Sequence, residues 1–297
     1  MVILEKQNYI YSFDKEHKPA LKVSAGAKVV IETHDCFLGQ IDSEETAYEA
    51  IDWNHINPAT GPIYIEEAKA GDIVKIDDLE MAPTGIIATG KNLGVMGHRL
   101  EGFAVKKVDI VDNTYVFNDR LRLPVNPMIG VIGVAPAQEG VSCGTPGEHG
   151  GNMDTTLITK GAELYLPVFH DGALFGLGDL HAAMGDGEIG VSGIEVAGRV
   201  TVTLDILKGR SIPHPIVVNE DGAAIIVSKP TLDEAAKEAV ECFVDIMRPL
   251  TGLSAADLSM LFSVSGHVQV SQIVDPLMTA RFFIPARVFH SYEINLF

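Results

Sequence analysis

Short runs of β-branched and apolar residues recur along the first 213 residues, separated by glycine, proline, asparagine and aspartate. A spacing of about 8–12 residues with alternating apolar and polar positions is typical of an all-β sandwich or barrel. Residues 200–207, VTVTLDIL, alternate most clearly, and residues 71–81, GDIVKIDDLEM, predict another strand. We therefore expect a mainly β fold with a jelly-roll-like β-sandwich body. Helical pattern is sparse here, and only residues 43–51, SEETAYEAI, predict a short helix.

The pattern changes in the last third of the chain. Residues 216–229 predict a hairpin, and a Thr-x-x-Glu box at Thr231 begins a segment whose apolar residues recur at helical spacing. A Ser-x-x-Asp start at Ser254 predicts a second helix. These features indicate an α+β C-terminal section at residues 214–297, packed on a β-sandwich body at residues 1–213. The sequence does not define this domain boundary sharply, and a single domain is also compatible with it.

The charge balance is strongly acidic, with 22 Lys+Arg against 40 Asp+Glu and a formal net charge of −18. Nucleic acids and anionic membranes are bound by clustered Lys and Arg, and the longest basic run is Lys106-Lys107. We therefore expect neutral, cationic or metal-ion partners, and neither a nucleic acid nor a membrane.

The cysteines indicate the compartment. Cys36, Cys143 and Cys242 are widely spaced and form no CxxC pair, which fits a reducing cytoplasm better than a disulfide scaffold. The first 20 residues lack a signal-peptide pattern, and no uncharged apolar stretch approaches the roughly 18 residues that a membrane span needs. The sequence thus predicts a soluble cytoplasmic protein.

Acidic residues, histidines and glycines concentrate between residues 146 and 195. In a strand, residues i and i+2 project from the same face, so Asp179 and His181 would present a carboxylate and an imidazole side by side. That pair suits a metal ion, and Asp186 and Glu188 repeat the spacing with two carboxylates. The glycines between them permit a loop that wraps a small ligand or an ion, although any single glycine more often serves a simple turn.

Two further candidates follow apolar strands. His34 and Asp35 are adjacent, so both reach one site only at a bulge or at the end of a strand. Glu139 follows an apolar run that ends in Pro136. The His-Asp dipeptide alone does not define a site, and Glu139 is equally well explained as a solvated loop acid.

Several motifs together resemble the acetamidase/formamidase family. They are THDCFLGQI at 33–41, NPATGPIYIEEAKAGDIVKIDDLEM at 57–81, IGVIGVAP at 129–136, PGEHGGNMD at 146–154 and GALFGLGDLHAAMGDGEI at 172–189. The resemblance is ordered and extends from about residue 20 to residue 290. It implies a mainly β sandwich, hydrolysis of short aliphatic amides to ammonia and a carboxylate, a metal-dependent site and a self-associated molecule.

Part of this chemistry also follows from the residues. Amide hydrolysis needs a nucleophile, a stabilised oxyanion and a proton for the leaving amine, and a metal with imidazole and carboxylate ligands supplies the first two. The sequence contains such ligands. Cys143 as a nitrilase-type nucleophile is the less favoured alternative, because the Glu and Lys context is missing and a free cysteine is usually inert packing.

Our hypothesis places Asp35, Asp179 and His181 at the core of a metal site, with His34 beside them. Further ligands or supporting groups are expected at His149, Asp154, Asp186 and Glu188. Mixed nitrogen and oxygen donors favour Zn, whereas an all-oxygen second site would suit Ca or Mg. Glu139 is expected to carry a proton from water to the leaving ammonia.

The sequence therefore predicts a cytoplasmic, metal-dependent amidase for small neutral amides, assembled as a homo-oligomer with a dimer favoured. Two alternatives remain open. One is a non-catalytic β-sandwich module that binds a metal or a small ligand and releases no ammonia. The other is a hydrolase of the same family that acts on another C–N bond, which a panel of ureas, formamides and longer amides would separate.

Overall fold

The computed structural model describes residues 2–70 and 78–297. The strands up to residue 133 are β1 (Val2–Leu4), β2 (Tyr9–Ile10), β3 (Ser12–Phe13), β4 (Leu21–Val23), β5 (Ala27–Thr33), β6 (Ala59–Ile65), β7 (Asp78–Met81), β8 (Thr84–Thr89), β9 (Ala104–Val111), β10 (Thr114–Asn118), β11 (Leu121–Pro124) and β12 (Met128–Gly133). The later strands are β13 (Val141–Ser142), β14 (Gly150–Asn152), β15 (Glu163–Tyr165), β16 (Phe175–His181), β17 (Glu195–Val196), β18 (Gly198–Leu204), β19 (Ile216–Asn219), β20 (Gly222–Lys229), β21 (His267–Gln272) and β22 (Met278–Pro285). The α-helices are α1 (Leu232–Thr251), α2 (Ala255–Ser265) and α3 (Ala286–Ser291), and 3₁₀ turns form at Tyr48–Ala50 and Gly97–Arg99.

The predicted mainly β fold is confirmed. One sheet of the body has the strand order β1-β5-β18-β7, and an eleven-stranded sheet follows the path β11-β10-β9-β8-β17-β16-β12-β14, with β6 paired to β16. Of the strand predicted at residues 71–81, residues 71–77 lie outside the described residues, and Asp78–Met81 forms β7. The helix predicted at residues 43–51 is reduced to the single turn Tyr48–Ala50.

The two body sheets face each other across one apolar core. This core contains Ile31 and Val200 from the smaller sheet together with Ile132 and Leu177 from the larger one. Strand β5 buries alternate residues, whereas every residue of β12 and β16 is buried. A strand covered on both sides offers no water to its polar side chains, so those of β16 need partners inside the protein.

The C-terminal section is α+β, as predicted. Its sheet has the order β15-β19-β20-β22-β21, and α1 packs on β20 and β22 through Ala235, Ala239, Phe243 and Met247. Because these four residues recur every fourth position, they form one apolar stripe along the helix. Strand β15 precedes residue 213, so this sheet joins both sequence regions, and the domain boundary itself stays a prediction.

Capping explains where the two longer helices begin. The Thr231 hydroxyl accepts from the Glu234 backbone N–H at the start of α1, and Ser254 forms a full capping box with Asp257 at the start of α2. Among the described residues, no helix combines the length and apolar character needed to cross a bilayer.

Candidate active site

A cluster of buried ionisable side chains lies at the end of β16. The imidazole of His181 is at its centre, with Nε2 3.2 Å from Glu195 Oε1 and 3.5 Å from Asp179 Oδ1. Its Nδ1 lies 3.9 Å from Asp154 Oδ1. Strand β16 supplies Asp179 and His181, β17 begins at Glu195, and Asp154 follows β14. Strands β17 and β16 are neighbours in the larger sheet, and β12 lies between β16 and β14.

The donor atoms of the cluster fall into two compact groups. Ligand atoms of Asp154, His181 and Glu188 lie within 4.8 Å of one another, and so do those of Cys36, Asp179 and Glu195. A further carboxylate comes from the C-terminal section, where Asp275 Oδ2 accepts from Asn152 Nδ2 at 3.0 Å. Residues far apart in the sequence therefore converge on one buried position.

Several polar atoms in the cluster have no hydrogen-bond partner within the described residues. They are Oδ1 and Oδ2 of Asp154, Oδ1 of Asp179, Oε2 of Glu195 and both ring nitrogens of His181. Buried polar groups are almost always paired, because leaving one unpaired is costly. Convergent, unpartnered imidazole and carboxylate atoms are the donor set of a transition-metal site, so these residues fit a divalent cation.

Burial, together with the neighbouring acids, shifts the pKa values in the cluster. Burial, followed by the neighbouring carboxylates, raises the pKa of Asp154 and of Glu188 well above the usual range. Burial raises the pKa of Glu195 to about 7. Burial alone would lower the pKa of His181, but Glu195 and Asp179 raise it well above its usual value. So many acids ionise together only when a positive charge lies among them.

The backbone around the cluster is unusual. Asp154, Asp179 and Glu188 have positive φ angles of 41°, 53° and 48°, a region that non-glycine residues rarely occupy. Gly130 on β12 lies against them, and a Cβ there would be 2.5 Å from Asp154 Oδ1 and 2.8 Å from Asp179 Oδ2. The absent side chain at Gly130 makes room for the two carboxylates.

The structure brings together four of the residues expected from the sequence. Asp179 and His181 lie side by side as the strand spacing predicts, and Asp154 and Glu188 join them. Asp186 differs, because its carboxylate turns outwards to Arg281 Nη2 at 2.7 Å. The Asp-Gly-Glu spacing therefore does not give a pair of adjacent carboxylates, since the loop leaves regular strand geometry at Glu188.

His34, Asp35 and His149 are placed outside the two donor groups. The Asp35 carboxylate accepts from the backbone N–H groups of Phe37 and Gly39, which fixes a turn, and His34 packs edge-on against a tyrosine ring. Strand β5 ends at Thr33, so the next residue to face the cluster is Cys36. His149 is buried beside Phe13, with Nε2 unpartnered within the described part of the chain.

Glu139 differs most from the sequence prediction. It lies on an exposed loop after β12, whereas the proposed proton carrier needed a shielded carboxyl beside the cluster. Cys143 is buried, its thiol donates to the Ile10 carbonyl, and burial raises its pKa to about 12, so it is held as a neutral packing residue.

The sequence prediction gave no role in the site to Cys36, Asn152, Glu195 and Asp275. Glu195 ends the acidic stretch and could have been found there, because it opens a short strand beside β16. Asp275 had no such signal, since it lies 80 positions after the end of the motif-rich stretch at residue 195. A cavity of about 290 Å³ opens from the cluster, and Glu188, Glu195 and Asp275 are among the residues that line it.

The comparisons with known proteins identify the family. The model of the acetamidase/formamidase family matches residues 5–143 and 137–291. The chain belongs to the acetamidase/formamidase family. This family member is similar over nearly its whole length to two solved structures. One, described as a recombinant predicted acetamidase/formamidase from Thermoanaerobacter tengcongensis, is 50% identical with a TM-score of 0.96, and 99% of this chain and 98% of that chain are covered.

The second solved structure is an acetamidase from Bacillus halodurans, 43% identical with a TM-score of 0.97 and coverage of 99% of this chain and 100% of that chain. Among curated relatives, the acetamidase of Mycolicibacterium smegmatis is 25% identical in an alignment of length 268 that covers 67% of this chain. The alignment spans 66% of that acetamidase, and a second alignment spans 61% of a formamidase from Methylophilus methylotrophus.

Proposed function

We propose that this family member is a metal-dependent amidase that hydrolyses short neutral amides to ammonia and the carboxylate. The observation that supports this proposal is the buried cluster of unpartnered imidazole and carboxylate atoms, which opens into a cavity able to hold a small molecule. The names of its relatives, acetamidase and formamidase, agree with that chemistry.

The metal would be held by Asp154, His181 and Glu188, whose donor atoms converge. One nitrogen and two oxygen donors favour Zn, and the carboxylate-rich side of the cluster would suit Ca or Mg at a second position. A bound divalent ion would polarise the substrate carbonyl and lower the pKa of a water molecule, which are the two effects that amide hydrolysis needs most.

Glu195 is the residue that we propose moves the proton. Its Oε1 is held 3.2 Å from His181 Nε2, while its Oε2 is unpartnered among the described residues, and the residue lines the cavity. A carboxylate in this position takes a proton from water at Oε2 and returns it to the nitrogen of the leaving amine. An amide bound in the cavity is shielded from bulk water while this transfer occurs.

The first test compares ammonia release from formamide and acetamide by the wild-type protein and by Glu195→Gln. We expect kcat/KM to fall by at least about 100-fold, the usual contribution of a general acid–base group. Glu16→Gln, the same exchange at an exposed position, serves as the matched control and should retain wild-type activity. If Glu139→Gln loses activity and Glu195→Gln keeps it, proton transfer belongs to Glu139 instead.

Metal dependence needs its own measurement. We expect the purified protein to contain a divalent metal by elemental analysis, to lose ammonia release on treatment with a chelator, and to regain it on addition of Zn. Full activity in metal-free protein would contradict the metal proposal. Bound metal with no ammonia from any amide would instead favour the non-catalytic module.

Self-association stays a prediction of the sequence resemblance. We propose a homodimer, and light scattering of the protein eluting from a sizing column gives its mass directly. A mass near the 31.9 kDa of one chain would contradict this proposal.

A further inference from the structure

The cavity that opens from the acidic cluster has an apolar half. Besides its carboxylates, its lining includes Phe37, Trp53, Phe103 and the small residue Ala88, and these apolar residues define what we call the apolar half. Its volume of about 290 Å³ corresponds to on the order of ten water-sized groups, at about 30 Å³ for each water. Formamide and acetamide have only three and four non-hydrogen atoms, so either one would leave most of the apolar half empty.

The aromatic wall is fixed in place by its own contacts. Trp53 stacks on Tyr48 with ring centroids 4.6 Å apart, and its indole N–H donates to the Tyr48 carbonyl at 3.1 Å. Phe37 and Phe103 pack edge-on to Trp53 at 6.4 and 6.0 Å. Rings held on several sides do not collapse into the space beside them, so the cavity is preformed for a ligand.

The charges around the cavity restrict what this ligand carries. Among the described residues that line it, the charged ones are all acidic, and no lysine or arginine is present. A carboxylate on the acyl chain would meet acidic side chains, apolar carbon and the uncharged amides of Asn57 and Asn152, without a lysine or arginine partner among the described lining residues. The acyl group must therefore be neutral as well as apolar.

We propose that the apolar half of this cavity is an acyl pocket for neutral amides with about three to seven apolar carbons beyond the carbonyl, which it prefers over formamide and acetamide. This inference rests on the proposed amidase function and names the substrate class of that same site. Ala88 is a small, buried residue of this lining, 2% exposed, so a larger side chain at this position would take up pocket volume.

The test measures kcat/KM for acetamide, butyramide, isovaleramide and phenylacetamide by ammonia release. Each buried methylene contributes about a fourfold increase, so butyramide should exceed acetamide by about tenfold or more. Succinamate, the butyramide analogue with a terminal carboxylate, should be at least about tenfold poorer than butyramide. Acetamide turned over as well as butyramide would overturn the acyl pocket and leave the amidase function intact.

Ala88→Leu takes up pocket volume and should lower kcat/KM for butyramide at least about threefold more than it lowers kcat/KM for acetamide. Ala104→Leu is the matched control, because Ala104 is exposed on the adjacent strand β9 and lies outside the cavity lining. Trp53→Leu enlarges the pocket and should shift preference towards phenylacetamide. Equal losses for acetamide and butyramide in Ala88→Leu would overturn the proposal.

A binding measurement separates this inference from the amidase function. If no amide releases ammonia, the amidase proposal fails, and calorimetric titration of the wild-type protein with acetamide and butyramide still tests the pocket. Tighter binding of butyramide, lost in Ala88→Leu and kept in Ala104→Leu, supports the pocket. Equal or undetectable binding of both amides overturns it.

Discussion

At the scale of single residues, the cluster depends on backbone conformations that the sequence pattern does not reveal. Asp154, Asp179 and Glu188 all have positive φ, although none is glycine. Such conformations cost of order 1–3 kcal/mol each, and they persist where the surrounding structure fixes them. The i, i+2 rule predicted the Asp179–His181 pair correctly because both residues belong to β16, and it failed for Asp186 and Glu188, which lie in a loop.

Gly130 is the residue where a minimal change should have the largest effect. We expect Gly130→Ala to lower kcat/KM by at least about 100-fold, because its methyl group would force apart the carboxylates of Asp154 and Asp179. Gly102→Ala is the matched control, since a Cβ at Gly102 meets no atom within 4 Å. Ammonia release and thermal melting of both variants check the prediction, and wild-type activity in Gly130→Ala would contradict it.

His149 predicts how stability depends on pH. Burial lowers its pKa to about 4, below the value of about 6.5 in an unfolded chain, so the folded protein holds the imidazole neutral. Protonation of His149 therefore favours the unfolded chain. The neutral imidazole contributes up to about 3 kcal/mol to the free energy of unfolding, a contribution that is complete above pH 6.5 and is lost as pH falls towards 4.

The variant His149→Leu removes this titrating group while keeping a similar volume. We expect its free energy of unfolding, measured with denaturant at several pH values, to fall less steeply than that of the wild type between pH 6.5 and 4. If the unfolding free energies of the two proteins fall equally between pH 6.5 and 4, His149 does not contribute to the loss of stability in acid. The control is His17→Leu, at a half-buried position, which shows how removing a histidine elsewhere changes the free energy of unfolding.

At the scale of elements, strand pairing across the sequence completes the site. The backbone N–H of Gly187 donates to the Ser271 carbonyl, and Ile273 donates back to Gly187, so β21 anchors the loop that carries Glu188. Arg281 on β22 is 3% exposed and reaches the same loop through Asp186. The C-terminal section therefore positions one acid and supplies another, Asp275.

Asp186→Asn tests this anchor. The exchange leaves the buried Arg281 guanidinium without its counter-ion, although the guanidinium keeps its contacts with Gln269, Val270 and Ser271. Because Asp186 is itself 45% exposed, we expect a moderate loss of about 2 kcal/mol in unfolding free energy, together with reduced activity. Asp119→Asn, an exposed acid, should change neither quantity, and unchanged stability in Asp186→Asn would contradict the anchor.

Elements with local signals could be predicted from the sequence, and contacts between distant elements could not. The boxes at Thr231 and Ser254 correctly place the starts of α1 and α2, because capping is decided within four residues. Residues 43–51 also begin with a capping residue but form only the turn Tyr48–Ala50, since tertiary packing decides so short a segment. Asp275 reaches the cluster through sheet pairing alone, which no spacing rule describes.

At the scale of the whole molecule, part of the net charge of −18 is buried rather than solvated. Asp154, Asp179, Glu188 and Glu195 are all buried around one imidazole. Like charges at such distances repel, and the repulsion persists until protons or a cation neutralise it. Binding of a divalent ion to the folded chain alone should therefore raise the free energy of unfolding.

The proposed metal site predicts a shift in thermal stability that needs no activity assay. At a free Zn concentration of about 100 times Kd, binding contributes about 2.7 kcal/mol, which raises Tm by roughly 5 °C in a chain of this size. Asp154→Asn should melt above the metal-free wild type, because it removes an acid whose raised pKa makes burial costly, and should gain little from Zn. Equal gains in both proteins would place the metal elsewhere.

The contribution of Asp275 also bears on protein synthesis. Ribosomes deliver the chain from residue 1 onwards, so the motif-rich stretch between residues 146 and 195 emerges long before Asp275 and the strands that flank it. Until β21 and β22 have emerged, the loop that carries Glu188 lacks its contacts with these strands, and the cluster lacks the Asp275 carboxylate. A nascent chain that has not yet reached these strands therefore cannot form the complete cluster of acids. A transcript truncated before residue 267 yields a protein without Asp275 and without the anchor of the Glu188 loop.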